Sequence, residues 1–111
     1  MLNEENLLAA GYKKFNYTFK QVYAAYQKRV LVEKADNEWC TEYFINVYHY
    51  KFDLLGHSHE SWELNMAFKR HSKLAPYAWV QYSLEADTPV DKLDLIAADL
   101  FYGNNGVSYE G

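Results

Sequence analysis

The segment Tyr43-Phe44-Ile45-Asn46-Val47-Tyr48-His49-Tyr50-Lys51-Phe52 limits the fold more than any other part of the chain. Its apolar and aromatic residues fall on both sides of a two-residue alternation, whereas a strand with one wet face alternates apolar with polar. One face can join a core, and the other asks for a second explanation. The excess is general, with 11 Tyr, 6 Phe and 3 Trp in 111 residues. The 50% hydrophobic and 23% charged fractions are otherwise those of an ordinary soluble domain.

The chain length suits a single domain, 1–111, holding a core without metals or disulfides. Cys40 stands alone, so no internal disulfide is expected, and the start of the sequence lacks the basic and apolar run of a signal peptide. A cytoplasmic protein is the expectation. The net charge of −4 is unevenly spread. Lys13, Lys14, Lys20, Lys28, Arg29 and Lys34 face only Glu33 between residues 12 and 34. Glu85, Asp87, Asp91, Asp94, Asp99 and Glu110 face only Lys92 between 85 and 111. Such blocks either sit together and soften one another or make a dipolar surface.

Asn3 is placed to cap a short helix through Ala10, with Gly11 as the left-handed residue that ends it. Phe19, Val22, Tyr23 and Tyr26 recur at helical spacing, and the chain then reads as strand from about Tyr26 to Glu33. Ala35 to Glu38 is a polar turn into the aromatic strand that begins near Trp39. Trp62, Leu64, Met66 and Phe68 alternate with polar or small neighbours in a third strand. His71 to Pro76 breaks the pattern, and Ala78, Val80, Tyr82 and Leu84 mark a fourth. Thr88, Pro89 and Asp91 sign the start of a helix to about Tyr102. In that helix Val90, Leu93, Ile96, Ala97, Leu100 and Phe101 form one apolar stripe, with Leu95 on the opposite side. Residues 103–111 read as a loose tail. The expected fold is α+β, a four-stranded antiparallel meander with an N-terminal and a C-terminal helix on one face.

With Ile45, Val47, Trp62, Leu64, Met66, Phe68, Val80 and Tyr82 directed at the helices, Phe44, Tyr48, Tyr50, Phe52, Tyr77 and Trp79 point away beside Arg29, Asn65, Lys69 and Gln81. A one-residue slip would exchange the faces. The segment Phe15 to Tyr26 could itself fold over that second face and turn it into another core. If it does not, an aromatic, polar-speckled surface is left, of a kind suited to protein contact.

His57-Ser58-His59, with Asp53 four residues before His57, offers ligand types a transition metal could use, although no third nitrogen or sulfur donor has a recognisable spacing. The stretch Gly56 to Glu60 otherwise reads as a polar loop. Cys40 has no nucleophile motif around it, and phosphate or dinucleotide loops are missing, because the glycines are scattered. Glu60 and Glu63 are an acidic pair by spacing alone. An open aromatic sheet could stack bases with help from Lys13, Lys14, Lys20, Lys28 and Arg29, but the acidic total opposes phosphate binding.

The runs Gly11-Tyr12-Lys13-Lys14-Phe15, Tyr26-Gln27-Lys28-Arg29-Val30 and Tyr43 to Tyr48, with the Leu93 to Phe101 helix, resemble those of small uncharacterised proteins encoded by phages and prophages of low-GC Gram-positive bacteria. That resemblance implies an accessory protein of a mobile element, for which binding a host protein is a common role. The expectation is a non-enzymatic protein-binding or assembly protein without a cofactor. It would act as a homodimer or on a host protein through Phe44, Tyr48, Tyr50, Tyr77 and Trp79, with Leu95 as a secondary contact. The alternatives are a nucleic-acid-binding module and a small metal protein or enzyme using His57 and His59.

Overall fold

The structure, a computed structural model, describes residues 1–17, 22–31, 42–69 and 77–104, except for the side chains of 68, 69, 77–79 and 102–104. Helix α1 (Glu4–Ala9) leads into β1 (Lys13–Phe15), β2 (Val22–Leu31), β3 (Glu42–Leu54), β4 (His57–Lys69) and β5 (Tyr77–Leu84), and α2 (Asp91–Asn104) closes the order. The strands form one antiparallel sheet in sequence order. The fold is α+β, with five strands among the described residues where the sequence pattern gives four.

The added strand is β1. It is only three residues long, too short to show an alternation. β2 also begins at Val22, inside the stretch whose spacing looks helical. The reason is a bulge between Val22 and Ala24. A bulge sets two successive residues on one side of a strand and so breaks the period of two. Tyr23, at the bulge, meets His49 edge-on at 5.3 Å, on the side where Ala24 pairs with His49. The expected turn at 35–38, Cys40, the break at 71–76 and the tail beyond Asn104 lie outside the described residues.

His57 to Glu60 is strand rather than loop. β3 and β4 run 13 residues each and are joined only by Leu55 and Gly56, whose φ values are 51° and 80°. Two positive φ angles are the mark of a type I′ hairpin turn, usually signalled by Asn-Gly or Asp-Gly. Leucine at the first position hides the turn from a sequence reading. It is also strained there, since a left-handed conformation brings Cβ against the following carbonyl.

Both helices share one face. Asn3 caps α1 by accepting the Asn6 N–H at 2.8 Å, and Gly11 at φ 97° ends it. Before α2, Pro89 and Val90 accept from Lys92 and Leu93 in one tight turn, so the regular helix begins at Asp91. Leu93, Ala97 and Phe101 are fully buried, Val90, Ile96 and Leu100 flank them, and Leu95 stands exposed, as the apolar stripe requires. Together with Leu7 of α1 they cover Tyr26, Tyr43, Ile45, Val47, Leu64 and Met66, and Phe101 stacks on Tyr43 at 4.6 Å. The basic and acidic blocks meet where Lys28 Nζ lies 2.9 Å from Asp94 of α2. The partial exposure of both side chains keeps the contribution of that pair small. The Leu2 N–H donates to the Ala86 carbonyl at 2.9 Å, which ties the first residues to the far end of the sheet.

These placements give a stability ranking. Leu64→Ala should lower unfolding stability by about 2–5 kcal/mol through the cavity it leaves, and Leu95→Ala by under about 0.5 kcal/mol. Leu55→Asn should raise stability by about 1 kcal/mol by relieving the left-handed leucine. Urea denaturation midpoints measure all three.

Candidate functional site

The face turned away from the helices is built row by row from the strand register. One row runs Phe15, Ala25, Tyr48, Glu63, Ser83, and the next runs Lys13, Gln27, Asn46, Asn65, Gln81. A third runs Arg29, Phe44, Ala67 and the β5 position of Trp79. Neither helix lies on this side. The expected division of faces is the observed one, because Ile45, Val47, Leu64 and Met66 are all buried under the helices.

Tyr48 is the hub of this face. Ala25 is small enough to let Phe15 and Tyr17 lean across it, and their rings reach Tyr48 at 6.4 and 4.9 Å. Tyr50 approaches from the same strand at 6.3 Å. Tyr48 is thereby only 9% exposed, although no helix covers it. The segment after α1 thus partly covers the second face through Phe15 and Tyr17. Tyr17 remains 43% exposed, and Phe15, Phe44, Tyr50 and Phe52 are half-buried. Burial is the first cause, and the Glu63 carboxylate the next, of a Tyr50 phenol pushed up to about 12. Tyr48 rises for the same first reason, with Tyr17 and Glu63 adding to it. Tyr77 and Trp79 take their register places opposite Lys69 and Ala67, but their side chains lie outside the described residues.

Between the two aromatic rows lies a line of amides. Gln27 Nε2 donates to Asn46 Oδ1 at 2.8 Å. Asn46 and Asn65 are 5% and 7% exposed, and the buried Asn65 Oδ1 has no hydrogen-bond partner among the described residues. A buried acceptor left unmet costs about 1–3 kcal/mol.

The structure separates the other sequence candidates. His57 and His59 lie on the aromatic face, opposite Leu54 and Phe52, and His59 stacks on Phe52 at 5.1 Å. Asp53 lies on the other face, where it accepts from Ser58 Oγ at 2.7 Å. Among the described residues no three of His, Cys, Asp and Glu gather where they could hold a metal ion. Glu60 and Glu63 point to opposite faces by parity. The basic residues are divided as well. Lys14 pairs with Glu4 at 2.9 Å on the helix face, Arg29 with Glu42 at 2.5 Å on the aromatic face, and Lys20 and Lys34 lie outside the described residues. Leu95 projects from the solvent side of α2, so one flat partner cannot touch both it and Tyr50.

Sequence reasoning gives no role to His49, which the structure makes the centre of a second cluster. Its ring lies flat on Trp62 at 3.9 Å, Tyr23 meets it edge-on, and Nε2 is 2.6 Å from Glu60 Oε2. Lys51 Nζ sits 4.9 Å from the centre of the Tyr23 ring. A carboxylate fixes the histidine tautomer, yet the flat stack is that of a packing histidine, and no nucleophile aligns with it among the described residues. The cross-strand pair of His49 with Trp62 and the diagonal Glu60 could have been found only with the β3–β4 register known.

Together these features define an α+β protein with an antiparallel meander, one helix-covered face and one aromatic face. No protein-family model matches the chain, and neither curated proteins nor solved structures give a match. Among the described residues no helix is long and apolar enough to cross a membrane.

The tyrosines can be tested by alkaline titration. A fold that raises the Tyr50 value from 10.0 to about 12 holds its proton more tightly than the unfolded chain. Its share of stability is full below pH 10.0 and is lost as pH rises through the folded value. Tyr12, Tyr26 and Tyr48 shift the same way, with burial the first cause in each case. Near-UV tyrosinate absorbance should show a late step coinciding with loss of secondary structure in circular dichroism.

Proposed function

We propose that this chain is a non-enzymatic protein-binding or assembly protein that docks a second protein on its aromatic sheet face. One observation carries the reading: Tyr17, Phe15, Phe44, Tyr50 and Phe52 keep accessible surface around a packed Tyr48, on the side of the sheet that neither helix covers. Tyrosine and phenylalanine supply large contact area with few rotamers, and tyrosine adds a polar handle; aromatic residues are enriched at interface centres for this reason. Arg29, Gln27 and Gln81 give the face a polar border. Phe15, Tyr17, Tyr48 and Tyr50 already pack on one another, so little ordering entropy of these rings is lost on docking.

The resemblance to phage and prophage proteins supports a host protein as the partner, in the cytoplasm, with the chain as an accessory of the mobile element. Against nucleic acid stand the division of the basic residues between two faces and their pairing with Glu4, Asp94 and Glu42.

Tyr17 and Tyr50 are better probes than Tyr48, whose loss would loosen the face itself. Tyr17→Ala with Tyr50→Ala should leave the circular dichroism spectrum unchanged and weaken a stoichiometric partner's binding by about 2 kcal/mol or more, the effect of losing interface anchors. Affinity measured by calorimetry against that partner, with oligonucleotide titrations in parallel, decides the matter. Equal partner affinity for wild type and variant, or salt-sensitive oligonucleotide binding that the variant loses, would count against the proposal.

A further inference from the structure

The two edges of the sheet are treated differently by the sequence. β1 ends it with three residues, two of them lysine, and a short, charged strand is a common way to discourage pairing with another chain. β5 ends it with eight residues, Tyr-Ala-Trp-Val-Gln-Tyr-Ser-Leu, carrying no charge, proline or glycine. Such an edge is a template for strand addition. Among the described residues none pairs with its outer side.

The hairpin fixes which backbone groups point outward. A two-residue turn closes on a pair that exchanges both hydrogen bonds, and bonded pairs then recur at every second position. Counting from Leu54 and His57, Asn46 and Asn65 are such a pair. Asn65 therefore turns its N–H and C=O toward β3, and its pairing with Gln81 is of the unbonded kind. Gln81 must direct its own N–H and C=O away from the sheet, as must Trp79 and Ser83.

We propose that the outer edge of β5 is a self-association surface, on which a second copy of the chain adds its own β5 antiparallel about a two-fold axis at Gln81. The axis must pass through a residue position, because only that parity keeps helix faces with helix faces. At Gln81 the two copies exchange N–H to C=O bonds directly, and Trp79 meets the second copy's Ser83. On the helix face the half-buried Val80 lies beside the second copy's Tyr82, which is 45% exposed in the single chain. On the other face the amide row from Gln27 through Asn46 and Asn65 to Gln81 continues into its own repeat. The contact is isologous, as a closed dimer requires. It uses the strand edge rather than the aromatic rings, and so stands apart from the docking reading above.

A charge exchange tests it. Wild type should sediment as a dimer. Gln81→Lys and Gln81→Glu, which set like charges directly opposite across the axis, should each sediment as a folded monomer, and an equimolar mixture of the two should recover the dimer. Gln81→Asn should stay dimeric, and the Tyr17→Ala, Tyr50→Ala variant should dimerise like wild type whether or not it has lost its partner. A wild type that is monomeric at its highest soluble concentration would overturn the inference. So would a charged variant that remains dimeric, or a mixture that fails to pair.

Discussion

The register of the β3–β4 hairpin decides what every other residue can do. A strand's side chains alternate, so placing Ile45, Val47, Leu64 and Met66 in the core commits Phe44, Tyr48, Tyr50 and Phe52 to the far side. The turn at Leu55 and Gly56 holds that parity with no slack, since one inserted residue would exchange the two faces. Burying those four core side chains contributes roughly 1.5–3 kcal/mol each, which is why the hydrophobic set prevails and the tyrosines take the remaining side. The aromatic face is a consequence of the core.

That face is neither a second core nor an ordinary wet surface. Phe15 and Tyr17 bring enough ring area to bury Tyr48, but among the described residues no layer covers the rest of that face. The amides beside Tyr48 are the polar part of the compromise. Asn46 and Asn65 are dry enough to need partners, and Gln27 meets only part of that need. A purely apolar row would have packed more simply.

Much of this was legible in the sequence, and the failures have local causes. The cap at Asn3, the left-handed Gly11, the stripe on α2 and the facing of Trp62 to Met66 all follow from rules acting within a few residues. β1 leaves no mark in the sequence because three residues carry no period. The first part of β2 has helical spacing because the bulge beside Tyr23 breaks its alternation. His57 and His59 look like loop because Leu55 occupies a turn position where asparagine or aspartate is the usual sign. Within the site, the outward direction of Phe44 and Tyr50 was readable from parity. Parity leaves the burial of Tyr48 open, since the segment Phe15 to Tyr26 could cover that face or leave it bare, and it rests on Phe15 of β1 and Tyr17 just beyond it. The pairing of His49 with Glu60 likewise needs a register that spacing alone does not supply.

The bond between the Leu2 N–H and the Ala86 carbonyl has a kinetic meaning. Every strand pairs with its neighbour in the chain, so each step of sheet assembly closes only a modest loop, and topologies of that kind fold quickly. The Leu2 contact spans far more of the chain, joining the first residues to the segment just before α2. It cannot form until the meander is laid down, which makes it a late-closing clasp. Its opening, followed by amide exchange at Leu2, would loosen the first three residues without unpairing the central hairpin, while Leu7 and Glu4 still hold α1 on the sheet.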